Sequence, residues 1–134
     1  MELGDRIAAV RAGVGDPAAM LGEFRRSAVL VPVVGGEFMS AVSGGIRWVY
    51  AFTDEAALTR FAAARGEAAR EWEYAAVLGA RLLDAVVPEW NGPAGVAVDV
   101  ADEDGSMLFP PVKGIVPVAV AVDATNVTDR EGER

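Results

Sequence analysis

The 134-residue chain contains no cysteine and no histidine. The first absence removes disulfides, thiol nucleophiles and thiolate metal sites together. The second removes the commonest general base at neutral pH and the commonest imidazole metal ligand. Lysine is almost missing too: eleven of the twelve cationic residues are Arg, and Lys113 is the exception. No S-x-x-K pattern includes that lysine and no glycine-rich loop leads into it, so neither a serine–lysine pair nor a Walker phosphate loop has its motif. Ser40, Ser43 and Thr53 have no histidine to activate them.

Positive charge is scarce. A net charge of −8 leaves no basic face with which to displace counterions from phosphates, and isolated pairs such as Arg25-Arg26 make no patch. A nucleic-acid partner is not expected. Long hydrophobic runs are missing as well: Ala28 to Val34 and Ile115 to Val122 fall far short of the roughly 18 residues a membrane span requires. The opening MELGDRIAAVRAG has no charged region followed by an apolar run, so no signal peptide is expected either. The expected setting is cytoplasmic, away from membranes. Arginine in place of lysine, with abundant Ala and Gly, suggests a GC-rich bacterial genome.

What the chain does have is hydrophobic content of 52% with 24% charge, enough for one domain with a real core. Leu3, Ile7, Val10 and Val14 form one helical stripe, broken by Gly13 and Gly15. Asp16-Pro17 is a cap and first-turn pair for a second helix, whose face carries Met20, Leu21 and Phe24. Three strands follow, 28–34, 37–43 and 46–52, joined by Gly35-Gly36 and Gly44-Gly45 as an antiparallel meander. Pro32 cannot donate to a ladder and predicts an edge position or a bulge for the first of them.

Thr53 offers an N-cap hydroxyl, and Asp54 and Glu55 suit the positive end of the helix that Leu58, Phe61, Ala62 and Arg65 define. Residues 71–78 read as a strand or an extended link. Leu82, Leu83, Val86 and Val87 form a short helical face ended by Pro88. Val96, Val98 and Val100 alternate in a strand over 95–101, and 115–122 reads as the last strand. The expected fold is α+β: one domain with a mixed, mostly antiparallel sheet covered by helices. Residues 1–27 form a helical extension, 28–122 the domain and 123–134 a frayed tail.

Candidate chemistry is sparse. In 99-DVADEDG-105 the EF-hand spacing fails: aligning Gly105 puts Val100 first and Pro111 twelfth, so the run reads as a turn between strands. GVGDPA at 13–18 has a dinucleotide-loop outline but follows a helix where a strand is needed. The W-x-G of 90-WNG-92 sits between Pro88 and Pro93 and reads as a turn holding a half-buried Trp90. No catalytic residue, metal ligand or cofactor is assigned. A carboxylate-only hydrolase would need two acids converging in a cleft, drawn from Glu37, Asp54, Asp84, Glu89 and Asp99. The binding candidates are aromatic: Trp48, Tyr50 and Phe52 along one strand face, with Trp72 and Trp90. That strand face is read first as core, packed against a helix.

LVPVV at 30–34, WVYAFTDEAALTRFA at 48–62, VLGARLLDAVVPEWNGPAGVAVDV at 77–100 and LFPPVKGIVP at 108–117 together resemble the SseB N-terminal-domain family of bacteria. Its signature here is Phe52, Thr53, Asp54, Ala57 and Leu58, followed by Gly79, Leu82 and Leu83. The likeness covers residues 28–122. Where family members place an Asn-Pro-Gly turn after the later strand, this chain has ADEDG. The resemblance implies an α+β domain with no catalytic residues to carry over and an accessory role, adaptor- or chaperone-like, beside a secretion system. The partner is then another protein, or a second copy in a homo-oligomer. An amino-acid-type ligand is the alternative.

Overall fold

A computed structural model describes residues 1–123, and the expected tail falls almost entirely outside them. The chain opens with helices α1 (Leu3–Arg11) and α2 (Pro17–Arg26). The side chain of Asp16 accepts the Ala18 N–H at 3.0 Å, capping α2 as its sequence predicts. Both helices are built into the body of the protein: Leu3, Ile7, Met20 and Phe24 are buried in the same core as the sheets. The extension over 1–27 is therefore an integral layer. Without α1 and α2 the sheet residues beneath them would face water.

Strands β1 (Ala28–Val34), β2 (Glu37–Phe38), β3 (Ser40–Ser43) and β4 (Ile46–Ala51) make the meander. It is split between two sheets. One runs β2-β1-β5, with β5 spanning Tyr74–Leu78, and the other β3-β4-β6-β7, with β6 at Ala94–Val98 and β7 at Met107–Phe109. All neighbours are antiparallel except β4 and β6. The expected second strand breaks at Met39, whose N–H donates to the Pro32 carbonyl while its own carbonyl accepts from Tyr50. Met39 thereby hands one strand from the first sheet to the second. The sheets also meet where Leu30 and Phe52 exchange two backbone hydrogen bonds, each 2.8 Å.

Pro32 is not on an edge strand, because β1 lies between β2 and β5. Its missing N–H falls where β1 changes partner, from Phe52 opposite Leu30 to Phe38 opposite Val33. A gap in the ladder tolerates proline as an edge does. Residues 115–122 are not a strand either. Gly114 has a φ of 89°, Pro117 supplies no N–H, and a 3-10 turn spans Val118–Val120. Val116 and Ala121 still anchor this segment in the core, and the place beside β6 goes to β7.

Helix α3 (Glu55–Ala64) crosses between the parallel strands. Its cap is Asp54, which accepts the Ala57 N–H at 2.9 Å; Thr53, the expected cap, is engaged elsewhere. Helix α4 (Gly79–Arg81) continues as a wide turn at Leu82–Val86 and a 3-10 turn at Val87–Glu89. Pro88 has no N–H for a regular ladder, and the irregular winding turns Leu82, Leu83 and Val87 into the core. Gly79 lets α2 approach, since a Cβ there would lie 2.0 Å from the Phe24 carbonyl oxygen. Phe24 in turn stacks on Phe109 with ring centroids 4.4 Å apart. Each such buried side chain contributes roughly 1.5–3 kcal/mol.

Candidate binding surface

Strand alternation places Ile46, Trp48 and Tyr50 on one face of β4, and Val49 and Ala51 on the other, in the main core. Helix α3 lands on the aromatic face at the end nearest Phe52. Phe61 stands there at the centre of a ring cluster, 5.2 Å from Tyr50, 5.1 Å from Phe52 and 6.0 Å from Trp72. Phe52 is fully buried; Tyr50 and Trp72 are half-buried. The Trp72 indole N–H donates to the Glu67 carbonyl at 3.2 Å, and the Arg70 guanidinium lies 4.2 Å from the Trp72 ring. Three of the five aromatic candidates are thus brought together, and Phe61 occupies the space among them.

Trp48 is different. Its neighbours in register are Ala41 on β3 and Gly95 on β6, and the next row carries Tyr50, Ala97 and Leu108. The indole lies across Gly95, where a Cβ would come within 2.8 Å of the ring and 2.5 Å of the Phe109 carbonyl oxygen. Glycine thus makes a seat for the Trp48 ring. Neither α3 nor the Trp72 segment reaches this half of the face. Ala41 is exposed, Ile46 and Trp48 are half-buried, and Leu108 is 53% exposed. The Trp48 indole N–H reaches the Ser43 carbonyl at 3.4 Å, at the rim. An apolar sheet face open to solvent, with an aromatic at its middle, suits contact by packing.

Trp90 lies on the opposite side, in the turn after the 79–89 helical segment, as the W-x-G spacing predicts. It forms one wall of a cavity of about 520 Å³, with Phe38, Ala85 and Val86 as the other apolar surfaces and Glu37, Arg81 and Glu89 at the rim. The Arg47 guanidinium sits 6.0 Å from the Trp90 ring and donates to the Ser40 hydroxyl at 3.0 Å. The volume is that of a small-molecule site. Phe38 and Arg81 were not legible as its members, because the strand and helix carrying them are far apart in sequence.

The acidic run after β6 is less solvated than a turn between strands implies. Asp99 is buried, with a φ of 50°, and ties the ends of the parallel pair together. It accepts the Thr53 N–H at 2.9 Å and the Thr53 hydroxyl at 2.7 Å. Burial pushes its carboxyl above the ordinary range; the bonds from Thr53 oppose that, and the charges of Asp102 and Asp54 add to it. Asp102 meets Arg60 through two bonds of 2.7 and 2.8 Å, which raise the Arg60 guanidinium further. Asp54 caps α3, and Asp84 pairs with Arg25 at 2.6 Å. These four carboxylates each have a separate structural partner, and among the described residues no group of three acids is arranged to hold a metal ion.

The chain matches no protein-family model, no curated protein and no solved structure. Among the described residues no helix is long and apolar enough to cross a membrane.

Proposed function

We propose that the protein is a non-enzymatic interaction module of the SseB-like type, binding another protein through the open half of the β3-β4-β6-β7 sheet in an adaptor- or chaperone-like role. The observation that carries this reading is Trp48 laid over Gly95 on a face that α3 leaves bare, flanked by Ile46 and Leu108. A rigid aromatic anchor with aliphatic neighbours is the composition of a binding hot spot. Of the five acids a carboxylate hydrolase could draw on, Asp54, Asp84 and Asp99 support the same reading by serving as cap, ion pair and strand tie, while Glu37 and Glu89 stand at the rim of the Trp90 cavity. The test compares cross-linked partners of wild-type protein with those of Trp48→Ala and Leu108→Arg in the native host. A partner captured by wild type and lost by both folded variants supports it; equal capture by all three counts against it.

A second reading rests on the Trp90 cavity, whose acidic and basic rim over an aromatic wall suits a zwitterionic, amino-acid-type ligand. A thermal-shift screen of amino acids and their derivatives tests it. A shift lost in Trp90→Ala is expected; no shift equivalent to about 1 kcal/mol at saturating ligand would sink it.

A further inference from the structure

Among the described residues, strand β5 is the edge of its sheet and pairs only with β1. Val33 donates to the Glu73 carbonyl at 2.8 Å and Gly79 to the Ser27 carbonyl at 2.9 Å. With Val29 opposite Val77 and Val31 opposite Ala75, the main-chain groups of Glu73, Ala75, Val77 and Gly79 face β1. Antiparallel alternation then turns those of Tyr74, Ala76 and Leu78 outward. The Leu78 carbonyl begins α4, but the three N–H groups and the carbonyls of Tyr74 and Ala76 meet no other strand among the described residues. The side chains of the same three residues are exposed, Tyr74 by 38% and Leu78 by 51%. None of the usual guards against strand addition is present on this row: no lysine, no proline, no bulge.

We infer that a second copy of this chain adds across β5, antiparallel and about a twofold axis at Ala76, joining the two β2-β1-β5 sheets into one. The edge is complementary to itself in backbone, side chain and charge. On the axis, Ala76 meets Ala76 and the pair exchanges both hydrogen bonds. On either side the Leu78 N–H reaches the Tyr74 carbonyl of the other copy, and the exposed Tyr74 and Leu78 side chains cover each other.

Charge selects the orientation. Glu71 and Glu73 precede the strand, Arg81 follows it, and none of the three has an ion-pair partner among the described residues. Antiparallel addition brings Arg81 of each copy towards the acidic end of the other. Parallel addition would set like charges together and could not close about a twofold. Five residues a side is a short seam, so the dimer is expected to depend on concentration.

Sedimentation equilibrium of the full chain tests this. Wild type should show a monomer–dimer equilibrium. Ala76→Pro removes an N–H that has no partner among the described residues, so it should fold while weakening the dimer at least about tenfold. Should that variant fail to fold, Ala76→Arg puts a solvent-facing charge that meets itself on the axis. Arg81→Glu should weaken association, and adding Glu71→Arg and Glu73→Arg should restore it. Because the chain has no cysteine, Ala76→Cys should form an intermolecular disulfide in mild oxidant. Trp48→Ala should leave the equilibrium unchanged, which separates this seam from the proposed partner face. A wild type that stays monomeric at all concentrations overturns the inference, as does a dimer indifferent to Ala76→Pro and Ala76→Arg. Binding of an added peptide by a monomeric chain overturns it as well.

Discussion

Asp99 accepts both polar hydrogens of Thr53, from the backbone at 2.9 Å and from the hydroxyl at 2.7 Å, and so ties the end of β6 to the start of the α3 crossover. Its carboxyl is held above the ordinary range chiefly by burial. A folded-state value above the unfolded one means that its contribution to stability is fully present below the ordinary carboxylate value. That contribution is lost as pH climbs through the raised value. Asp99→Asn keeps an oxygen for the Thr53 N–H, turns its amide to the Thr53 oxygen, and suits the φ of 50°. The stability of Asp99→Asn relative to wild type should therefore rise with pH across that window and level off above it. Urea titrations at a series of pH values measure the difference, and a flat or falling one would count against the assignment. Asp99→Ala, losing both bonds, should cost about 1–3 kcal/mol.

Gly79→Ala and Gly4→Ala should have opposite signs. At Gly79 the added methyl meets the Phe24 carbonyl oxygen at 2.0 Å, part of the α2 backbone, and the expected loss is about 3 kcal/mol. At Gly4, inside α1, nothing lies within 4 Å, and alanine should stabilise by about 0.5–1 kcal/mol. Chemical denaturation of the two variants is sufficient; equal effects would contradict the packing of α2 on α4.

Phe61→Ala should cost about 3–5 kcal/mol, because one ring fills the space between Tyr50, Phe52 and Trp72. The near-ultraviolet circular dichroism of the cluster should fall with it. An unchanged spectrum would mean that the rings pack without Phe61.

Trp48→Ala should cost only roughly 1 kcal/mol, since part of the indole already faces water. Gly95→Ala should cost more, displacing the indole and crowding the Phe109 carbonyl. Trp48 emission in a Trp72→Phe, Trp90→Phe background should shift in Gly95→Ala. No shift would mean that the ring does not rest on Gly95.

Much of the architecture was already written in local pattern. The Asp16-Pro17 cap, the glycine turns of the meander and the stripe Leu58, Phe61, Ala62 each need only neighbours in sequence to act, and each forms as expected. Pro32 and residues 115–122 went otherwise for a shared reason. An apolar run specifies burial, but which backbone groups need partners depends on the strand lying alongside. Proline was admitted to the middle of a sheet because the ladder changes partner there. Ile115 to Val122 is anchored in the core by Val116 and Ala121 without being paired as a strand.

The candidate surface divides in the same way. Composition by itself removed thiol and imidazole chemistry, and alternation by itself set Trp48 and Tyr50 on one face. Only the tertiary structure decided that Phe61 would fill the Tyr50 end and leave the Trp48 end bare, because α3 packs on the sheet at the end nearest Phe52. It alone turned Asp99 from a turn residue into a buried tie, and it alone left the Tyr74, Ala76 and Leu78 edge without a neighbouring strand among the described residues. Local sequence sets what a segment needs to bury or bond; the fold determines which of those needs are met within one chain.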